Sequence, residues 1–370
     1  MKRRIFFLLA AASLALLTVS CGKADPNPAY ATYDDGEPVE AEKSAEDTAS
    51  DEAGLLKIGF SQVGHESDWR QAATEAVRET FSKENGYELT LLDADNDADA
   101  QKQQVSDLID FGVDYLIIDP IIETGWEPVL TKAQGAGIPV LVVDRTISDS
   151  DKYLAWFGSD FVMEGRKAGA WLKAYLAAKN VGSDGFHIGV ITGTEAAAAT
   201  LGRSQGFDEY VYAASDAQHW IVDTEACGDF TEEGGKAVME SFLEKYPDLD
   251  VIVCQNDNMA YGAMAAMDEA GVSYGKDGDK VLISFDAMRD GLTAVKEGKI
   301  SCDIECNPLS ASLVAEAIQT LEAGGGTVEK ENFLEEGIFA ADDTVADINV
   351  GVVAYPVQTV TDQFLDSREY

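Results

Sequence analysis

The sequence predicts an α/β protein of two doubly wound parallel sheets. From Leu55 onward, short apolar runs alternate with longer stretches at helical spacing, which is the pattern of right-handed βαβ units. Roughly ten such runs fall into two groups, which suits two open sheets. The chain has 370 residues, a length for two lobes of ordinary size rather than one core. A closed (β/α)₈ barrel is the alternative architecture.

The elements follow in order. Residues 55–61 form an apolar strand. Trp69, Ala72, Ala73, Ala76, Val77 and Phe81 then recur at helical spacing up to Gly86, which predicts an amphipathic helix. Strand 89–92, helix 100–111, strand 115–118, helix 126–136 and strand 140–143 complete the first run. Strand 155–158 precedes a long helix, 161–178. The second run alternates strands 188–191, 220–224, 251–254, 281–285 and 300–305 with helices up to 214, 234–246, 259–270 and 291–297, and helix 310–323 follows. In such sheets both faces are covered, and ligands sit outside the carboxyl ends of the strands.

Ahead of this body stands an address. Lys2, Arg3 and Arg4 precede an uncharged apolar run, residues 5–19, which is short for a membrane span and suited to a signal peptide, 1–20. Cys21 follows Ser20 directly. A small residue before a lone Cys at this place resembles a lipidation signal, although Leu17 falls one position early and Thr18 takes its usual place; the alternative is an ordinary cleaved leader with an incidental Cys. A lipid on Cys21 tethers a protein to a membrane without spanning it. Residues 21–54 are acidic and poor in aliphatic bulk, the composition of a flexible, self-repelling linker.

The net charge is −40. Removing the +3 leader and the −8 of residues 22–54 leaves −35 on the body. Such a surface repels phosphate backbones, so nucleic acid is excluded as a partner. Three histidines and no short nucleotide motif point to no metal and no cofactor. Cys227, Cys254, Cys302 and Cys306 are too few for a disulfide framework and read as small buried hydrophobes.

The residues that follow the strands share one chemistry. Ser61, Glu66, Trp69 and Arg70 follow the first strand, and Asp144 and Arg145 the fourth. Thr194, Phe230, Asn256, Asp286 and Glu305 follow strands of the second run. Hydroxyls, amides, carboxylates and guanidiniums offer the paired donors and acceptors that a polyol needs. An aromatic ring stacks on a sugar's C–H face. No Ser or Cys nucleophile stands beside His65, so a binding cleft fits better than an enzyme. Each residue also has a plainer reading. Asp144, Asn256 and Asp286 suit helix N-caps, Arg145 and Arg203 suit surface ion pairs, and Trp69 suits a helix core. The stretch from Gly202 to Gly206 spells G-x-S-x-G, but a helix-forming run precedes it, so it is no nucleophile elbow. Asp93 to Asp97 begins like a calcium loop but lacks the Gly and the closing Glu, and reads as a turn into a helix.

Several stretches resemble a known family. They are Gly59-Phe60-Ser61-Gln62 with Glu66-Ser67-Asp68-Trp69-Arg70, Thr124-Gly125-Trp126-Glu127-Pro128, Asp144-Arg145, Gly193-Thr194, Arg203-Ser204-Gln205-Gly206-Phe207, Gly228-Asp229-Phe230-Thr231 and Asn256-Asp257. The chain resembles the type 1 periplasmic binding proteins of bacterial ABC sugar importers, the ribose-binding family, and within it the galactofuranose-binding branch. The resemblance spans residues 55–323, and 342–353 looks like an insertion.

The resemblance implies two lobes, 55–158 plus 308–338 and 159–307 plus 339–370. Three crossings near 145–157, 304–308 and 339–355 would form a hinge between them. It assigns Ser61, Glu66, Trp69, Arg70, Asp144 and Arg145 to the first half of a sugar site. Thr194, Arg203, Phe230, Asn256 and Asp286 go to the second half, with Glu305 near a crossing. It implies an extracytoplasmic protein that hands one neutral monosaccharide to an ABC permease; with a lipid on Cys21 as its only membrane anchor, a monomer is expected. The branch's cysteine pair does not match the cysteines here in position. A sensor subunit and a glycosidase that uses Asp144 and Asp286 are the competing functions.

Overall fold

The computed structural model describes residues 54–179, 185–214, 219–324 and 326–370. The leader, Cys21 and most of the acidic linker lie outside them. Within them, no helix is long and apolar enough to cross a membrane.

The first sheet grows from β1 (Leu56–Gln62), β2 (Tyr87–Asp93), β3 (Tyr115–Ile118), β4 (Val140–Val143) and β5 (Ala155–Gly158). Helices α1 (Asp68–Thr80), α2 (Ala98–Phe111) and α3 (Glu127–Ala136) connect them. The second sheet is fed by α4 (Phe161–Ala178), β6 (Phe186–Thr192), α5 (Ala198–Ala214), β7 (Trp220–Cys227), α6 (Glu232–Lys245), β8 (Val251–Cys254), α7 (Asp257–Ala270), β9 (Val281–Asp286), α8 (Arg289–Lys296) and β10 (Cys302–Glu305). The chain then returns through α9 (Ala311–Glu322) and β11 (Glu331–Phe333). It ends in β12 (Ile338–Ala340), β13 (Asp347–Val350), β14 (Val353–Pro356), β15 (Gln358–Thr359) and α10 (Asp362–Asp366).

Two open sheets replace the barrel alternative. The first has the order β11-β5-β4-β3-β1-β2, and the second β15-β12-β10-β9-β8-β6-β7. All pairs in the first sheet are parallel, and in the second only β10 with β12 runs antiparallel. Both sheets thus place their first two strands in the same reversed order. Each therefore has a switch point, between β1 and β3 and between β6 and β8, where strand ends open a crevice. One face of the first sheet packs Phe60, Ile117 and Leu141 on Val314 and Ile318 of α9. Its other face packs Leu116, Ile118 and Val142 on Val105, Trp126 and Leu130. Trp126 is a core residue, fully buried.

Two of the expected crossings are corrected. β5 pairs with β4 in the first sheet, so the first crossing lies at 159–160 and not at 145–157. The third lies at 334–337, between β11 and β12, and not at 339–355; Ile338, expected in the first lobe, opens β12 of the second sheet. The stretch 342–353, which reads as an insertion, is built into the antiparallel β13–β14 hairpin. Ile348 and Val350 of that hairpin are buried in the cluster that holds Trp171 and Leu172 of α4. The second crossing, 306–310, overlaps its expected place. Among the described cysteines none is bridged; Cys254, Cys302 and Cys306 are buried, but Cys227 is exposed, contrary to its reading as a buried hydrophobe.

Candidate functional site

After β1 the chain turns at Ser67, whose side chain accepts from the Arg70 backbone N–H and caps α1. This cap fixes the first turn of the helix and aims Trp69 and Arg70 at the strand ends. Arg70 is buried and holds three carboxylates. Its Nε donates to Glu66 Oε1 (3.0 Å) and its Nη2 to Asp144 Oδ2 (2.7 Å), while Nη1 donates to Asp119 Oδ2. Asp144 takes a left-handed backbone, φ 57°, which turns its carboxylate under Arg70 rather than along the chain. Arg145 donates from Nη1 to the Ile121 carbonyl (3.1 Å) and from Nη2 to Glu66 Oε1 (3.4 Å).

The second sheet repeats the device. Gly165 of α4 lets α5 approach so closely that a Cβ there would lie 2.2 Å from the Arg203 carbonyl. Arg203, buried, donates from Nε to Glu164 Oε2 (2.7 Å), from Nη2 to Asp286 Oδ1 (3.2 Å) and from Nη1 to the Gln255 carbonyl. Asn256 caps α7 by accepting from Met259 N (2.9 Å), and its Nδ2 donates to the Phe230 carbonyl (3.0 Å). Its cap reading holds, and it also fixes Phe230. Asp144 and Asp286 are not caps; Met288 precedes α8 in that place.

These side chains meet in one cavity. It is lined by Glu66, Trp69, Arg70, Asp144 and Arg145 from the first sheet and by Arg203, Phe230, Asn256 and Asp286 from the second. Three guanidiniums face three carboxylates, so the wall is charge-balanced. Burial pushes the Glu66 carboxyl up, but Arg70 and Arg145 outweigh it and hold it below the usual range. Burial also pushes Asp286 well up, against the pull of Arg203. The cavity is closed by contacts across the cleft. Asp68 N donates to Asn258 Oδ1 (3.1 Å), Asn258 Nδ2 donates to Asp68 Oδ2 (3.2 Å), and Trp69 Nε1 donates to the Cys306 carbonyl (2.7 Å) at the second crossing.

Three expected residues stand apart from the cavity. Ser61, fully buried, donates to Gln104 Oε1 of α2 (3.2 Å). Thr194 donates to Asp229 Oδ1 (2.7 Å). Glu305 accepts from Gly337 N (2.5 Å) and Tyr370 Oη (2.6 Å) and pairs with Arg368. Ser67, Ala199 and Cys306 line the cavity unforeseen. Two unforeseen carboxylates do not line it but hold its arginines: Asp119, which follows β3 and so obeyed the strand-end rule, pairs with Arg70, and Glu164, which sits on a helix with no such signal, pairs with Arg203. His65 is exposed and pairs with Asp93 (2.8 Å). Ser204 lies within α5, so no nucleophile elbow forms. Asp97 caps α2, as the turn reading expects.

The profile of the periplasmic binding protein domain matches residues 58–322. The chain belongs to the periplasmic binding protein family. The galactofuranose-binding protein YtfQ of Escherichia coli is 33% identical over 295 residues, 78% of this chain and 89% of that relative. A family structure from Mycobacterium smegmatis, in complex with beta-D-fucofuranose, has a TM-score of 0.72 at 35% identity and covers 78% of this chain and 93% of that one. The binding component of the arabinose ABC transporter of Shewanella sp. ANA-3, bound to alpha- and beta-L-arabinofuranose, has a TM-score of 0.71 at 34% identity, with the same coverage. These family members are binding and transport proteins rather than enzymes, which agrees with the expectation of no catalysis.

Proposed function

We propose that this chain is the extracytoplasmic substrate-binding lipoprotein of an ABC sugar importer. It holds one neutral monosaccharide in five-membered-ring form between its lobes and delivers it to the permease. The observation that carries this reading is the charge-balanced cavity between two strand-end crevices, with Trp69 and Phe230 in its wall. Balanced charges give a polyol both donors and acceptors and give an anion or cation no net attraction. The names of the relatives support a furanose. Glu66, Arg70, Asp144 and Arg145 bind from the first lobe. Arg203, Phe230, Asn256 and Asp286 close from the second. Binding across a hinge gives the sugar a lower free energy in the closed state, so it shifts the lobes shut. Cys21 carries the lipid, and the protein works as a monomer.

Mass spectrometry of what co-purifies, released by mild denaturation, tests the reading, with calorimetry on L-arabinose, D-galactose and D-ribose. One sugar bound per chain is expected. Failure of every neutral monosaccharide, with a charged solute bound instead, would overturn it.

A further inference from the structure

Phe230 reaches the cavity by an unusual route. Asp229 and Phe230 both have left-handed backbone, φ 57° and 60°, a conformation that a bulky residue rarely takes. The turn is held from three sides. Asn256 Nδ2 binds the Phe230 carbonyl, Thr231 caps α6, and Asp229 accepts from Thr194. The ring then lies on Gly193, just after β6. A Cβ at Gly193 would stand 1.9 Å from Phe230 Cζ and 2.2–2.3 Å from both Cε atoms. Arg145 stacks over the same ring, its Cζ 5.5 Å from the centroid. Gly193 itself does not have a left-handed backbone, so an alanine there suits the chain and conflicts only with the ring.

From this we infer that Gly193 is a positioning residue for ligand size: its missing side chain is the seat that keeps the Phe230 ring back from the cavity. The inference rests on the sugar-binding reading above. With a methyl at 193, the ring must retreat by about 1.5–2 Å to reach ordinary contact. The backbone of residue 230 is pinned. Phe230 is buried in the same cluster as Met239, Phe242, Met259 and Ala260, whose close packing does not yield to a ring. The open space that the ring borders is the ligand cavity, whose wall it forms in part. The ring therefore moves into it and takes volume from the ligand.

The probes are L-arabinose and D-galactose, which differ by the sixth carbon and its hydroxyl. In Gly193→Ala the ratio of galactose to arabinose affinity should fall about tenfold or more, the usual scale for one carbon in a tight pocket. Phe230→Leu alone should move the ratio the other way, and the double variant Gly193→Ala/Phe230→Leu should bring it back toward wild type. A merely structural role lowers both affinities alike and leaves the ratio where it was; that result, with both sugars still bound, overturns the inference. A wild-type chain that binds neither sugar counts against the sugar reading instead. The crystal structure of Gly193→Ala then still decides the matter. A Phe230 ring displaced into the cavity supports the inference, and a ring left in place with a shifted β6 end refutes it.

Discussion

Arg70→Met removes a charge while keeping an unbranched side chain against Trp69, whose ring lies 4.9 Å from the guanidinium carbon. Three carboxylates then lose a shared partner. Glu66 and Asp144 keep Arg145, at 3.4 and 4.0 Å, and Asp119 keeps no ion pair among the described residues. Stripping one partner from a buried pair costs about 3–5 kcal/mol, and this is the loss of stability expected at pH 8. The loss depends on pH, and its sign is fixed. In the wild type, Arg70 and Arg145 together hold Glu66 below its usual 4.5. That stabilises the folded state above pH 4.5 and is lost as pH falls through the lowered value. In the variant, the orphaned carboxyls relieve their repulsion by taking up protons as the solution is acidified. One unit of upward shift restores about 1.4 kcal/mol, so the deficit at pH 5 should be roughly 1–2 kcal/mol smaller than at pH 8. Urea unfolding of both proteins at the two pH values measures it, with calorimetry showing sugar affinity reduced by about 2–4 kcal/mol. An equal deficit at both pH values, or one under about 1 kcal/mol at pH 8, would refute the account of Arg70 as the charge hub of its lobe.

Asn258→Ala removes both hydrogen bonds to Asp68 across the cleft, each worth about 1 kcal/mol. The sugar-free protein should show a larger radius of gyration by small-angle scattering, and saturating sugar should bring it down; an identical radius for wild type and variant would rule out the pair as a latch. Burial pushes Asp257 up from 3.8 to about 6, against the hydrogen bonds it accepts from Ser284 Oγ and Met288 N, with the buried Asp303 beside it. An acid raised in the folded state costs nothing below pH 4, loses stability as pH climbs to about 6, and stays at the full penalty of about 3 kcal/mol above that. Asp303→Asn removes a buried acid beside Asp257 and offers an amide donor in its place, and should flatten this slope; melting temperatures at pH 4.5 and 7.5 that fall as steeply as in the wild type would contradict the coupling of the two acids. Cys21→Ser should move the protein from the membrane to the soluble fraction on centrifugation, and continued retention would speak against the lipid.

The fold was legible because each βα unit announces itself locally. An apolar run, a polar turn and an amphipathic stretch suffice, and the strand-end rule then collects Glu66, Arg70, Asp144, Arg145, Asn256 and Asp286. The misses have non-local causes. Ser61 stands one residue before the end of the right strand but its pleat turns it to α2, and one residue decides the face. Glu305 is claimed by Arg368 and Tyr370, more than sixty positions along the chain. The first crossing was misplaced because β5 adds to β4 at the first sheet, and a short apolar strand does not itself say which sheet it joins. Glu164 was missed because a carboxylate on a helix face looks like any solvated one until α5 packs over it.

The path of the chain also dictates when each half can be finished. Val314 and Ile318 of α9 cover one face of the first sheet, and β11 closes its edge. Both lie after every strand from β6 to β10. During synthesis, the amino-terminal half therefore emerges with an uncovered apolar face and an unpaired β5 edge. It must wait for nearly all of the other half to appear before it can close. Neither half can be released by one cut in the chain, and the first is not complete until β11 has followed every strand from β6 to β10, unlike domains strung in sequence. A polypeptide that stays unfinished until its last segment arrives is also one that can still be threaded through a narrow passage.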